Sequence, residues 1–128
     1  MNTKTIDISS KGPLDKRKVL VVNNDPDIFE SLERYLDVCR LYKASDIRTA
    51  MVYLEYRLFD IVIWDTDSIE PLDLSGNLLK KGIPTVFFME GQNPDDNLNK
   101  YIKQGAVPLP NRNNLSGIKS FLEGLVQA

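Results

Sequence analysis

The residues able to do chemistry gather where apolar runs end. Ile61-Val62-Ile63-Trp64 runs into Asp65, with Thr66 and Asp67 behind it. Val19-Leu20-Val21-Val22 runs into Asn23-Asn24-Asp25-Pro26. Met89 and Glu90 follow a third such run, and Asn111 and Arg112 follow a fourth. A carboxylate so placed can accept a transferred group or help to hold a hard cation. Amides beside it can donate to its oxygens, and a guanidinium can pair with it bidentately. The chain has no histidine, which excludes Ser-His-Asp and Cys-His catalysis, His-ligated metals and a phosphohistidine carrier role. One cysteine, Cys39, excludes an internal disulfide and a Cys-rich zinc site. No glycine-rich phosphate loop follows Val22. Asn-Asn-Asp-Pro adds a negative charge there, so a nucleotide or flavin phosphate is poorly served.

These residues need elements to position them. The chain has 128 residues, enough for one domain that removes roughly two-thirds of its unfolded surface from water. Hydrophobic residues make up 42% and charged residues 27%, with a net charge of −2. No global positive field recruits nucleic acid or anionic lipid, and no basic stripe suggests DNA. No signal peptide and no membrane-length apolar run is present, and with the single cysteine this favours a reducing, cytoplasmic setting. Residues 1–16 are polar and are expected to be a flexible tail, leaving 17–128 as the folded domain.

Strand and helix then alternate five times. Strands are expected at Lys18–Val22, Leu41–Ala44, Ile61–Trp64, Thr85–Met89 and Val107–Leu109. The first helix, capped by Asn24 or Asp25 with Pro26 at its start, carries Ile28, Phe29, Leu32, Tyr35, Leu36 and Cys39 on one stripe. The second, capped by Ser45 or Asp46, turns Ile47, Ala50, Met51, Leu54 and Leu58 inward. A short third helix runs from about Leu72 to Lys80. The fourth opens at Pro94, with Leu98, Tyr101 and Ile102 inward, and the last carries Leu115, Ile118, Phe121, Leu122, Leu125 and Val126. Such alternation predicts an α/β fold, a parallel sheet with helices on both faces. Strands one, three and four are continuous apolar runs, as central strands should be. Strand two carries Arg40 and Lys43, and strand five carries Pro108, so both are edges. The order 2-1-3-4-5, the flavodoxin-like (βα)5 three-layer sandwich, satisfies this. A ligand site then lies beyond the carboxyl ends of strands one and three.

Several phrases carry a resemblance. They are Val19-Leu20-Val21-Val22-Asn23-Asn24-Asp25-Pro26-Asp27-Ile28, Tyr42-Lys43-Ala44-Ser45-Asp46, Phe59-Asp60-Ile61-Val62-Ile63-Trp64-Asp65, Ile83-Pro84-Thr85-Val86-Phe87-Phe88 and Gly105-Ala106. In order and spacing, over residues 17–127, the chain resembles the response-regulator receiver domain of two-component signalling. The resemblance implies that Asp65 corresponds to the aspartate that takes a phosphoryl group from a histidine kinase. Asn23 and Asn24 stand where the family places two acids that help to hold Mg²⁺. Met89 stands where it places a Thr or Ser that contacts the phosphoryl group. Arg112 stands at its phosphoryl-pairing Lys, and Leu109 at the aromatic residue that reports activation. Asp67 stands where a backbone carbonyl serves as a metal ligand.

The pattern is kept while most of the chemistry is replaced. Two neutral amides in place of two carboxylates remove much of the attraction for a hard cation, so Mg²⁺ binding is expected to be weak or absent, with Asp25, Asp65 and Asp67 as the remaining weak candidates. Asp25 is expected to cap the first helix. Arg112 is expected to pair with Asp65, with Asn23 and Asn24 donating to the remaining lone pairs. The leading expectation is a pseudo-receiver that is no enzyme and works by protein–protein contact. Its partner, another protein or a second copy, would dock on the face of helix four, strand five and helix five, through Asn97, Lys100, Tyr101, Val107, Pro108 and Leu109. The alternatives are an atypical regulator still phosphorylated on Asp65 by a histidine kinase, and a small enzyme on the same scaffold.

Overall fold

The computed structural model describes residues 12–70, 73–89, 94–109 and 115–127. Its strands are β1 (Lys18–Val22), β2 (Arg40–Ala44), β3 (Ile61–Asp65), β4 (Thr85–Phe88) and β5 (Val107–Leu109). Its helices are α1 (Pro26–Tyr35), α2 (Ile47–Tyr56), α3 (Asp73–Lys80), α4 (Asp96–Ile102) and α5 (Ile118–Gln127). The strands form one parallel sheet in the order β2-β1-β3-β4-β5, as expected.

Alternation along the strands divides the core in two. Val19, Val21, Ile61, Ile63, Val86 and Phe88 pack on one face against Ile28, Leu32, Leu36, Leu115, Ile118 and Leu122. Leu20, Val22, Val62, Trp64, Phe87 and Met89 pack on the other against Ala50, Leu78, Leu98 and Tyr101. β1, β3 and β4 are therefore covered on both sides, which is why they read as unbroken apolar runs.

Local chemistry sets the helix ends. Asp25 caps α1, accepting from the Asp27 and Ile28 N–H groups at 3.1 and 3.4 Å. Asp46 caps α2, accepting from the Thr49 N–H at 2.7 Å, and that backbone bond is the main reason its carboxyl sits below the usual range. Asp95, one residue after Pro94, caps α4. After α3 the chain turns through Gly82 at φ +77°, a conformation that suits glycine, and the Gly82 and Ile83 N–H groups satisfy the Leu79 and Leu78 carbonyls.

Several expected positions move. The folded unit starts before residue 17: Leu14 is fully buried in the α1/α5 core, inside a turn where Arg17 N–H meets the Leu14 carbonyl and Lys16 N–H meets that of Val38. One apolar residue among polar neighbours gives no period, so the sequence alone masks it. Residues 1–11 lie outside the described residues. The inner stripe of α1 is shorter than its pattern. Tyr35 is exposed, and Cys39 sits beyond the helix in the turn before β2, half-buried against the core, where burial pushes its thiol up to about 11.

The α2 stripe is narrower still, because that helix lies over β1 and the edge strand β2. Ala50 is buried and Ile47 and Leu54 pack inward, but Met51 and Leu58 face out. Tyr53 takes the inner place instead, in edge-on contact with Tyr42 and Phe59. Arg57, extended at φ −138°, ends the helical period before Leu58.

At the other edge, Met89 N–H bonds to the Leu109 carbonyl, so the polar groups of Leu109 turn toward β4. Those of Pro108, one residue earlier, turn outward, where a missing N–H breaks no ladder bond.

Candidate functional site

Parallel strands deliver their carboxyl ends to one edge of the sheet, and β1 and β3 are neighbours whose connections leave in different directions. Val22 lies opposite Trp64, so the next residues, Asn23 and Asp65, stand side by side. Both are fully buried. Asn23 Nδ2 donates to Asp65 Oδ2 at 2.6 Å. Ser68 Oγ donates to the same oxygen at 2.8 Å, and the Asp67 N–H reaches Asp65 Oδ1 at 3.3 Å.

The amide of Asn23 is fixed at both ends. Its Oδ1 accepts from the Asp25 N–H at 3.0 Å. Rotating the amide would set oxygen against carboxylate at one end and N–H against N–H at the other, so this network assigns the orientation. The turn after Asp65 is equally well tied. Ser68 and Ile69 N–H groups bond to the Asp65 carbonyl. Thr66 Oγ1 donates to the Phe88 carbonyl at 3.0 Å. Trp64 turns to the opposite face of the sheet, fully buried, with Nε1 donating to the Ile69 carbonyl at 2.8 Å.

The expected site residues thus separate. Asp65 and Asn23 meet as anticipated. Asn24 does not reach Asp65: it is exposed and donates to the Ser68 carbonyl at 3.4 Å, because consecutive residues leaving a strand point to opposite sides. Asp25 is occupied as a helix cap. Met89 is buried among the apolar side chains on the α2/α4 side and is a packing residue. Arg112, and with it the expected pairing to Asp65, lies outside the described residues, as do Glu90 and Asn111. Sequence reading missed Ser68. Its signal was the Asp-x-x-Ser spacing, which lets a hydroxyl three residues on reach back across a turn.

A Mg²⁺ ion does not fit this donor set. The ion requires oxygen ligands in near-octahedral array. Here the neighbour of Asp65 Oδ2 is an amide N–H, which cannot ligate, and the Asn23 oxygen is committed to a backbone N–H. Among the described residues, no three His, Cys, Asp or Glu side chains converge as a metal site would need.

On the expected docking face, Tyr101 keeps to the inward stripe expected for its helix, so it is not offered to a partner. It is buried with its ring edge-on to Phe87, and Lys100 Nζ lies over it at 4.9 Å. Lys100 is exposed, and Asn97, Val107, Pro108 and Leu109 are half-buried.

No family model matches the sequence, and no curated protein matches it. Solved structures do. The chain resembles the non-phosphorylated HemR receiver domain from Leptospira biflexa with TM-score 0.74 at 24% identity, over 88% of this chain and 96% of that one. It resembles a putative response regulator from Chloroflexus aurantiacus with TM-score 0.73 at 18% identity, over 89% and 100%. It resembles the receiver domain of a putative Luxo repressor protein from Vibrio parahaemolyticus with TM-score 0.72 at 15% identity, over 88% and 91%.

Proposed function

We propose, from a fold shared with response-regulator receiver domains, that this chain is a pseudo-receiver: a signalling module that acts by protein–protein contact and not as an enzyme, without Mg²⁺-dependent phosphorylation of Asp65. One observation carries the reading. Asn23 and Ser68 both donate to Asp65 Oδ2, so a neutral clamp stands where an acidic, cation-binding pocket would be needed. Phosphoryl transfer develops negative charge that a metal ion ordinarily offsets. The amide at 2.6 Å gives the carboxylate a hydrogen bond but gives an incoming phosphoryl group no cation. With Met89 in the apolar core, that position offers no hydroxyl to draw toward a phosphoryl oxygen.

Contact with a partner protein falls, in this reading, on the α4–β5–α5 face, through Asn97, Lys100, Val107, Pro108 and Leu109. Lys100→Glu should then weaken that partner's binding while leaving the fold intact.

The deciding experiment is an amide NMR titration with Mg²⁺, then Mg²⁺ plus beryllofluoride, on wild type and Asp65→Ala. The expected result is no saturable shift around Asp65 at millimolar ligand. Saturable shifts that vanish in Asp65→Ala would overturn the proposal and establish an atypical phosphoacceptor.

A further inference from the structure

Among the described residues, five large hydrophobic side chains are exposed, and four of them lie on α2 or just after it: Met51, Val52, Tyr56 and Leu58. Met51 and Val52 are about half exposed, and Tyr56 and Leu58 are 76% and 88% exposed. Concentration in one place is the unusual feature, since single exposed apolar residues are ordinary. At about 100° per residue, Arg48, Met51, Val52 and Glu55 occupy one outward stripe, opposite the buried Ala50. The apolar pair sits in its middle, with a cation one turn before and an anion one turn after. Beside it a shallow groove is lined by Met51, Leu54, Glu55 and Lys81.

We infer that this stripe is the contact between two copies of the chain, packed α2 against α2 in antiparallel fashion about a two-fold axis. The spacing of the charges is what selects a second copy. In an antiparallel pair centred between Met51 and Val52, Met51 faces the other copy's Val52, and Arg48 faces its Glu55. Two-fold symmetry makes each contact twice. Within one chain Arg48 and Glu55 are two turns apart, about 10 Å along the helix, so they cannot pair with each other. Neither forms an ion pair within the described residues, and Lys81 does not pair with Glu55. The face is therefore self-complementary in both apolar contact and charge. A net charge of only −2 places little global repulsion against self-association. One ten-residue helix per copy is a small interface, so the association is of the weak, concentration-dependent class.

The test is sedimentation velocity of the full chain from micromolar to millimolar concentration, with circular dichroism to confirm that each variant is folded. Wild type is expected to shift from monomer toward dimer. Val52→Asp, Arg48→Glu and Glu55→Arg are each expected to weaken dimerisation by about tenfold or more, because every change is made twice across the axis. The double variant Arg48→Glu with Glu55→Arg exchanges the two charges and is expected to restore dimerisation. A wild type that stays monomeric at millimolar concentration overturns the inference, as does a dimer indifferent to Val52→Asp. A double variant no better than its parents overturns the antiparallel register. None of these variants touches Asp65, so the outcome is independent of the phosphorylation question.

Discussion

β3 has an aspartate at each end, and the two are held in opposite ways. Asp60, just before the strand, is partly exposed. It accepts from the Lys18 N–H at 2.9 Å and from Arg17 Nη1 at 3.3 Å, with both side chains more than a third exposed. Asp65, at the strand's carboxyl end, is fully buried and takes its described hydrogen bonds from an amide, a hydroxyl and a backbone N–H. The first end can use water as a further partner. The second is out of reach of water, so removing one of these donors leaves a buried oxygen short of a bond. The same residue type is therefore replaceable at one end and locked at the other.

The largest expected break of this contrast is Asn23→Asp. It sets two carboxyls side by side without water, and should cost about 3 kcal/mol at neutral pH. Acid neutralises carboxylates and so should relieve the repulsion. Urea melts at neutral and acidic pH read this directly, and a deficit that persists in acid would show that repulsion is not its cause.

Asn23→Ala removes one strong donor and should cost about 2 kcal/mol, with Ser68→Ala nearer 1 kcal/mol. At the other end Arg17→Ala should cost only about 0.5 kcal/mol, and less in high salt, since the pair is screened by solvent. A loss at Arg17 equal to that at Asn23 would erase the contrast.

The smallest effect lies at Cys39. Burial raises its thiol most, Lys119 lowers it, and Asp37, Asp15 and Asp60 raise it, giving about 11 against an ordinary 9.0. The folded chain holds this proton where the unfolded chain releases it. Stability is complete below about pH 9 and declines as pH rises toward 11. Alkylation at neutral pH should be much slower than for a free thiol, as a time course with iodoacetamide would show.

The legible part of this molecule was what repeats. Unbroken apolar runs marked the central strands, and Arg40, Lys43 and Pro108 marked the edges, because a strand's neighbours constrain every second residue. Asp65 and its contact with Asn23 followed from two run ends being adjacent. Reading faltered where burial depends on how far a neighbouring element extends. Tyr35, Met51 and Leu58 continue a helical pattern past the sheet that would cover them. Leu14 lacks a pattern altogether. Ser68 reaches Asp65 through a turn whose shape no apolar period encodes.

Pro108 has a consequence for how this chain can assemble. An open sheet edge is a template on which another chain's strand can add, and addition that leaves a fresh edge can repeat without limit. Among the described residues β5 is three residues long, and its outward-facing residue, Pro108, offers a carbonyl but no donor. Strand addition at that end has almost nothing to grip. Association through helices about a two-fold axis, by contrast, uses up its own surface and terminates. The β5 edge of the sheet resists strand-by-strand growth.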